Sequence, residues 1–336
     1  MRNAKIRFFL TAVLIASRKP VQAQLLERQL TNEEKYAVIK SSAHLLNNHY
    51  LFPHKAKQVE QLLTGKLKAG AFDKVVDPKA FGKEVQGLMQ EVTRDKHLRL
   101  LYAPALVKNL ERVKNKHDSL ELYRQDFAER KKINFGLPEA KVLVNNIGYL
   151  KITKFTAPEM AGPVMMASST FLQHVDGLIL DLRSRGGGNS YTLELLLSYF
   201  LPPKTHMSTW HFRDTPATEQ SWTLPYVEGH RFLDVPIFVL TSKNTFSASE
   251  AFCYSLQTTK RATLIGERTA GGAHTYKEMK VTDEYLMTVP YGRPLYTTTN
   301  SNWEVTGVLP DYEIDAEKAL EKAQELLDKR LAKSDK

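Results

Sequence analysis

"VPIFVLTSKNTFSASEAFCYSLQTT", residues 235–259, joins an apolar run to a helix-like run through a polar turn. The apolar run is typical of a buried strand, and the run after the turn has the pattern of a packed helix. In the turn, Ser247 and Ser249 flank an alanine, and Glu250 follows. Ser247 and Glu250 have the spacing of a capping box. The same position puts the Ser247 hydroxyl near helix N–H groups that stabilise negative charge, so the turn predicts a helix cap or a nucleophile.

Further strands and helices surround this stretch in an alternating order. "VDGLILDLRS" and "RATLIGE" are apolar runs bounded by turn signals, and "SYTLELLLSYFLP" has a helical pattern. "AKVLVNNIGYLKITKF" alternates apolar and polar residues across Asn145 and Asn146, which indicates a hairpin. The alternation predicts an α/β domain over residues 141–315 and a terminal helix over residues 316–336.

The segment before this domain has a different pattern. Residues 27–100 contain three stretches with apolar residues at helical spacing, which predict a small helical bundle. Residues 101–140 are rich in charge and are interpreted as a connecting segment. A chain of 336 residues with 42% hydrophobic content can hold one large domain and a smaller one. The predicted fold class is therefore α/β with a helical bundle at the N-terminus.

The first residues of the chain resemble a targeting segment. Arg2, Lys5 and Arg7 precede a short apolar run, and the small residue Ala23 closes the stretch "VQA". This order predicts a secretory signal peptide over residues 1–23 and an exported protein, periplasmic or extracellular. The apolar run is too short to span a bilayer, so no stable membrane anchor is expected.

The formal net charge of +10 depends on that segment. It contains five of the 47 basic residues and no acidic one, so 42 basic residues face 37 acidic ones in the remainder, a net charge of +5. No fingerprint of a nucleic-acid-binding module accompanies this mild excess, and no nucleic-acid partner is predicted. The single cysteine, Cys253, excludes an internal disulfide, and its apolar neighbours predict a buried position.

Two further features could take part in chemistry. The glycines of "SRGGGNS" can point backbone N–H groups at a ligand, or they form a flexible turn before a helix. Among ten histidines, His97 begins an extended stretch and His274 lies in a Gly-rich loop. A serine nucleophile needs such a base. No nucleotide-binding motif, HExxH or Cys/His cluster is present, so no cofactor or metal is predicted. The residues alone favour a serine hydrolase.

Four motifs in register resemble those of one known family. They are "LILDLRSRGGGNS", "LTSKNTFSASEAF", "RATLIGERTAGG" and "NWEVTGVLPD". They resemble the serine peptidases of the tail-specific (C-terminal processing) protease family, which implies a Clp protease/crotonase-like domain with an N-terminal helical bundle. The resemblance implies that Ser247 is the nucleophile. The best known branch uses a lysine 25 residues after the serine, but Gly272 stands there and Lys277 follows five residues later.

The chain is similar instead to the tricorn core protease and to the repeats of interphotoreceptor retinoid-binding protein. In the tricorn-like branch the base is a histidine at the end of the N-terminal segment, and a glutamate in a "WxxxGVxPD"-like motif orients the network. His97 and Glu304 match these positions, and His274 is the alternative base. The resemblance implies an oxyanion site between the N–H groups of Ala248 and Gly187.

Two positions depart from that pattern. Lys96 stands where tricorn proteases carry a serine before the base. A cation beside an imidazole disfavours its protonated form unless a carboxylate, here Asp95 or Glu304, offsets the charge. Arg185 stands where relatives commonly have an asparagine ahead of the glycines. Neither departure abolishes the case for a peptidase, although both count against an efficient one. Residues 105–140 are too few for the PDZ module of the dyad members, so processive recognition of protein tails through such a module is not expected.

Two functions of different classes follow from these residues. The first is an exported serine peptidase that uses Ser247, His97 and Glu304 on a peptide or protein substrate. The second is a binding protein that holds a hydrophobic ligand in the same cleft. Aromatic residues could line such a pocket or form ordinary core, namely Trp210, Phe212, Trp222 and Tyr226. Either function is compatible with a homo-oligomer.

Overall fold

The computed structural model describes residues 28–112, 116–184 and 186–334. The predicted signal peptide, residues 1–23, lies outside the described residues. The helices are α1 (Asn32–His49), α2 (Pro53–Lys68), α3 (Pro78–Thr93), α4 (Pro104–Arg112), α5 (Lys116–Lys131), α6 (Pro158–Phe171), α7 (Ser190–Leu197), α8 (Ala248–Thr258) and α9 (Ala319–Ser334). The strands are β1 (Arg99–Tyr102), β2 (Glu139–Leu143), β3 (Ile147–Lys151), β4 (Gly177–Asp181), β5 (His206–Phe212), β6 (Thr218–Trp222), β7 (Ile237–Thr241), β8 (Thr263–Gly266), β9 (Thr275–Lys280), β10 (Tyr285–Tyr296) and β11 (Tyr312–Glu313).

A largely parallel sheet forms the centre of the α/β part, with strand order β11-β8-β7-β4-β3-β2. Strands β3, β4, β7 and β8 run parallel to their neighbours, and β2 pairs antiparallel with β3 at the edge. Every residue of β4 and β7 is buried. Helix α9 covers one face of this sheet, and α6, α7 and α8 cover the other. Because helices cover both faces of the sheet, the sequences of these strands are continuous apolar runs.

A second, antiparallel sheet was not predicted from the sequence. Its strand order is β1-β10-β5-β6, and β9 also pairs with β10. Helices α1, α2 and α3 pack on β1 and β10 in one apolar cluster that includes Tyr285, Met287 and Val289. The helices of the predicted bundle lie close to their expected places, and they bury their apolar faces against β10, which begins more than 190 residues later in the chain. The predicted fold class, α/β with N-terminal helices, is confirmed.

The topology brings two sequence regions to one edge of the parallel sheet. The glycine turn follows β4, and the turn that contains Ser247 follows β7, its neighbour in the sheet. Carboxyl ends of adjacent parallel strands form the crevice where α/β proteins place their sites. Strand β1 and the loop before it approach the same edge from the antiparallel sheet. Among the described residues, no helix has the length and apolar character needed to cross a membrane.

Candidate active site

Ser247 stands in a strained turn between β7 and α8. Its backbone has φ 59° and ψ −123°, a left-handed conformation that a residue with a side chain rarely adopts. Such strain persists only where surrounding contacts enforce it, and a sharp strand-to-helix turn presents a nucleophile in the same way in other α/β hydrolases. The Ser247 N–H donates to Glu250 Oε2 at 2.9 Å. The turn therefore holds Ser247 at the N-cap position of α8.

The Glu250 carboxylate holds this turn against a neighbouring loop. It is fully buried and also accepts hydrogen bonds from the Thr269 hydroxyl at 2.6 Å, the Gly271 N–H at 2.5 Å and the Gly272 N–H at 2.9 Å. Burial raises the pKa of Glu250, while these four donors act in the opposite direction. Because four donors converge on one carboxylate, Ser247 is fixed relative to the loop 269–272.

His97 approaches Ser247 from the antiparallel sheet. Its Nε2 lies 3.1 Å from Ser247 Oγ, and its side chain is buried. The ring packs against two aromatic rings, with centroid distances of 4.6 Å to Phe246 and 5.4 Å to Tyr276. The His97 N–H donates to Asp95 Oδ1 at 3.0 Å. The aromatic contacts and the backbone hydrogen bond together orient the imidazole toward the hydroxyl.

His274, the alternative base, makes a different contact. Its Nδ1 lies 2.7 Å from Asp95 Oδ2, and both side chains are almost completely buried. Burial opposes the charged imidazolium, but the hydrogen bond and the charge of Asp95 outweigh it and raise the pKa of His274. Asp95 thus bridges the two histidines, because one oxygen binds the His97 backbone and the other binds the His274 ring. The structure brings His97, rather than His274, to Ser247.

Glu304 joins this group behind the bases. Its Oε2 accepts the Ala273 N–H at 2.5 Å and lies 3.7 Å from His274 Nδ1. Its Oε1 is buried with no hydrogen-bond partner among the described residues. Burial, followed by the charge of Asp95, raises the pKa of Glu304 to about 7. The Glu304 carboxylate therefore lies next to His274 on the base side of the site, and its role in orienting the base stays a prediction.

Among the residues that the structure describes, Asp95, His274 and Glu304 form a group that could hold a metal ion. One ligand atom from each lies within 4.8 Å of the others. The contact of 2.7 Å between His274 Nδ1 and Asp95 Oδ2 is a direct hydrogen bond, which uses two of those ligand atoms. The arrangement is that of a buried charge cluster, and the absence of a metal stays a prediction.

The predicted oxyanion donors lie beside Ser247. A Cβ added to Gly187 would stand 3.3 Å from Ser247 Cβ and 3.7 Å from its Oγ, so the glycine backbone borders the nucleophile directly. Ala248 is the first residue of α8. Among the described residues, neither the Gly187 N–H nor the Ala248 N–H donates a hydrogen bond within the protein. Two such donors next to a serine hydroxyl can stabilise an oxyanion.

The two departures from the tricorn pattern have different outcomes. The Lys96 Nζ donates a hydrogen bond to the Ala270 carbonyl oxygen. Arg185 lies outside the described residues. Lys96 therefore ties the base segment to the loop that Glu250 also holds.

An open cleft of about 1010 Å³ contains Ser247 and His97. Its walls combine the glycine turn with apolar side chains such as Leu193 and Trp303. Of the four aromatic residues expected as pocket or core, only Trp210 lines this cleft. Phe212 stacks on Tyr291, Trp222 stacks on His206, and Tyr226 is exposed. Cys253 lies on the buried face of α8 within the core, as its neighbours predict.

Sequence comparison identifies the family. The model described as "Peptidase family S41" matches residues 146–314, which are 169 of the 336 residues. The chain belongs to peptidase family S41. A second model, "N-terminal domain of Peptidase_S41 in eukaryotic IRBP", matches residues 30–128. The predicted membership of the C-terminal processing protease family is confirmed.

Several proteins illustrate this relationship. The carboxyl-terminal-processing protease of Synechocystis sp. is 28% identical over 166 residues, which are 49% of this chain and 37% of that protein. The match thus spans little more than a third of this curated relative. The photosystem II D1 C-terminal processing protease aligns over 86% of this chain and 94% of its own, with TM-score 0.52 and 15% identity. The tricorn protease aligns over 90% of this chain and 37% of its own, with TM-score 0.55 and 14% identity. At such identities these structures show a shared fold.

Sequence reasoning did not assign a role to two of the residues that organise the site. Glu250 was interpreted as a capping-box residue, yet it also holds a loop that begins nineteen residues later. Asp95 was considered only as a charge that offsets Lys96, whereas it contacts both histidines. The position of Asp95 two residues before His97 was the available signal, because an aspartate often accepts the N–H two residues on.

Proposed function

We propose that the chain is an exported serine peptidase that cleaves peptide bonds with Ser247 as nucleophile and His97 as general base. The observation that supports this proposal is the 3.1 Å separation of His97 Nε2 and Ser247 Oγ. A nucleophile and its base need this separation, and the His97 ring is already oriented by its neighbours. The two N–H groups at Gly187 and Ala248 complete the requirements for acyl transfer.

In the proposed reaction, Ser247 Oγ attacks the carbonyl carbon of the scissile bond while its proton passes to His97 Nε2. The resulting oxyanion accepts hydrogen bonds from the Ala248 and Gly187 N–H groups. The C–N bond then breaks, and His97 gives the proton to the leaving amine. Water attacks the acyl-enzyme with His97 as base again, and Ser247 is released with the new carboxyl product. This sequence consumes one water molecule and uses no cofactor.

His97 gains a positive charge in this reaction, and the carboxylates of Asp95 and Glu304 stabilise that charge. Asp95 fixes the His97 backbone at 3.0 Å, and its carboxylate in turn contacts His274. Glu304, the acid of the predicted Ser-His-Glu group, lies next to His274. We propose that it acts on His97 indirectly, through His274 and Asp95. A buried carboxylate close to an imidazolium stabilises its charge because the local dielectric is low.

The substrate class follows from the cleft. Its volume of about 1010 Å³ and its open form suit an extended peptide or an exposed protein segment. The alternative, a carrier of a hydrophobic ligand, is disfavoured by two observations. Three of the four aromatic residues expected in such a pocket lie elsewhere, although Phe246, Tyr276 and Trp303 do line the cleft, and the cationic side chains of Lys96, Arg99, Lys154 and Lys277 border it. We propose peptide or protein substrates on this basis.

Labelling with a fluorophosphonate probe tests the proposal. The probe should label the wild-type protein and Ser249→Ala, because Ser249 is completely buried within α8. Labelling should disappear in Ser247→Ala and fall strongly in His97→Ala. A folded wild-type protein that does not react would contradict the peptidase proposal and favour the carrier. Extraction of lipids from the purified protein would then identify its ligand.

Export is a separate part of the proposal. It rests on the basic start, the short apolar run and the small residues within residues 1–23. Expression of the full chain with fractionation should give a mature N-terminus close to residue 24 in the periplasm or medium. Recovery of the uncut chain in the cytoplasm alone would overturn it.

A further inference from the structure

Lys154 lies next to the glycine turn of the cleft. The Phe155 N–H donates to the Gly187 carbonyl oxygen at 3.1 Å, and the Asn189 N–H donates to the Phe155 carbonyl oxygen at 2.8 Å. These bonds align the segment after β3 with the turn that carries the predicted oxyanion donor. Phe155 is buried in the core, whereas Lys154 lines the cleft that contains Ser247. Alternation along extended chain explains this difference between neighbours.

The Lys154 ammonium has no carboxylate within ion-pair distance among the described residues, although its side chain is half-buried. Burial lowers the pKa of Lys154, and the nearby Arg130 adds to this effect. Asp126 is the nearby acid, but it forms an ion pair of 2.9 Å with Arg130. A partly desolvated lysine with no ion-pair partner in the described part of the chain therefore lines the cleft.

Two other lysines, Lys35 and Lys277, have acceptors within the protein for their ammonium groups. Lys35 is buried in the helical region, and its Nζ donates to the Phe72 carbonyl oxygen at 2.9 Å and to two further oxygens at 3.3 Å. Lys277 borders the same cleft as Lys154, but it pairs with Asp214 at 2.9 Å. No acceptor of this kind is present for Lys154 in the described part of the chain.

We propose that Lys154 binds a carboxylate of the peptide substrate next to the glycine turn, and so determines specificity. This inference rests on the proposed peptidase function, because it names a feature of the peptide that the cleft selects. The carboxylate belongs either to an acidic side chain or to the chain terminus of the substrate. An ammonium that is already partly desolvated loses little hydration on binding, so its ion pair is stronger than one at an open surface.

Peptide binding to the Ser247→Ala variant tests the inference without any need for turnover. The probes are fluorescein-labelled decapeptides with one Glu moved through a neutral host sequence, their Gln counterparts, and each peptide as free acid and amide. Fluorescence anisotropy at low ionic strength should show about tenfold tighter binding for a carboxylate at one place, as charged hydrogen bonds typically provide. A Glu effect identifies a side chain, and an acid-against-amide effect identifies the terminus.

Substitution in the same background identifies the residue. The affinity ratio is that of a carboxylate peptide to its neutral Gln or amide counterpart. Lys154→Met should bring this ratio to about one, Lys154→Glu should bring it below one, and Lys154→Arg should retain it. Lys151→Met is the matched control, because Lys151 has similar exposure on the same segment but borders a separate groove. Wild-type cleavage should show the same ratio in kcat/KM.

Each contrary result has a defined meaning. A ratio of one in Ser247→Ala, a ratio that persists in Lys154→Met, or no binding of any carboxylate peptide overturns the Lys154 inference. If the wild type still reacts with the fluorophosphonate and cleaves peptides, the proposed function survives that outcome. A carboxylate preference without labelling or cleavage would support the Lys154 subsite and overturn the proposed peptidase function.

Discussion

The two sides of the catalytic cleft are built in different ways. On the nucleophile side, Ser247 and Glu250 lie three residues apart, and four donors satisfy the Glu250 carboxylate. On the base side, His97 depends on Asp95, which in turn contacts His274 and, through it, Glu304. One oxygen of Glu304 is buried without a hydrogen-bond partner in the described part of the chain. The nucleophile side is therefore fixed through the four hydrogen bonds to Glu250, whereas the base side can respond to protonation.

The largest expected effect separates the two histidines of the base side. His97→Ala should lower kcat/KM for peptide cleavage by about 10⁴-fold, because it removes the general base. His274→Asn should lower it by only about tenfold, since it changes the support of Asp95 and keeps a polar side chain there. Steady-state kinetics on a cleavable peptide, with circular dichroism to verify folding, provides the measurement. Equal losses in the two variants, or a larger loss in His274→Asn, would reverse the assignment of the base.

A smaller effect tests the claim that hydrogen bonding fixes the nucleophile side. Glu250→Gln replaces one acceptor oxygen by an NH₂ group that faces backbone N–H donors. The free energy of unfolding should fall by about 3 kcal/mol, the typical result of leaving buried groups unsatisfied, and fluorophosphonate labelling should slow. Chemical denaturation measures the first quantity. Glu194→Gln is the control, because Glu194 is partly buried and accepts one hydrogen bond, from Ser221. A similar loss in both variants would mean that Glu250 has no special role in the turn.

The smallest effect is a pH dependence on the base side. The pKa of Glu304 is raised from 4.5 to about 7, chiefly by burial and then by Asp95, so the native state binds this proton more tightly than the unfolded state. Its stabilising contribution is complete below pH 4.5 and is lost as the pH rises through about 7. The raised pKa of His274 acts in the same direction. Glu304→Gln lacks this titration, so it should gain about 2 kcal/mol relative to wild type between pH 4.5 and 8.

Thermal and chemical unfolding across this pH range provide the measurement. Glu325 supplies a control of opposite sign, because hydrogen bonds from Lys329 and Lys322 lower its pKa to about 2. The difference between Glu325→Gln and wild type should change only as the pH falls below 4.5. A flat difference for Glu304→Gln between pH 4.5 and 8 would show that its carboxylate is hydrated, and the contrast between the two sides would then disappear.

Local patterns allowed much of this molecule to be predicted. The buried strands β4, β7 and β8 were recognisable because parallel strands covered on both faces are uniformly apolar. The helices α1, α2 and α3 were recognisable because each buries one face. The antiparallel sheet was missed, because β5, β6 and β9 are partly exposed and mix polar with apolar residues. Their partners lie far away in the sequence, and a single-sequence pattern does not report such pairing.

The sequence by itself determined the fold class, the family motifs and the turn that contains Ser247. Those features depend on neighbours within a few residues, since periodicity and turn chemistry act locally. Only the tertiary structure decided which histidine reaches Ser247. His97 and His274 are both compatible with the motifs, and the choice depends on how β1 and β9 pair with β10. That pairing places His97 Nε2 at the serine and His274 Nδ1 on Asp95, because hydrogen bonds act across space and not along the chain.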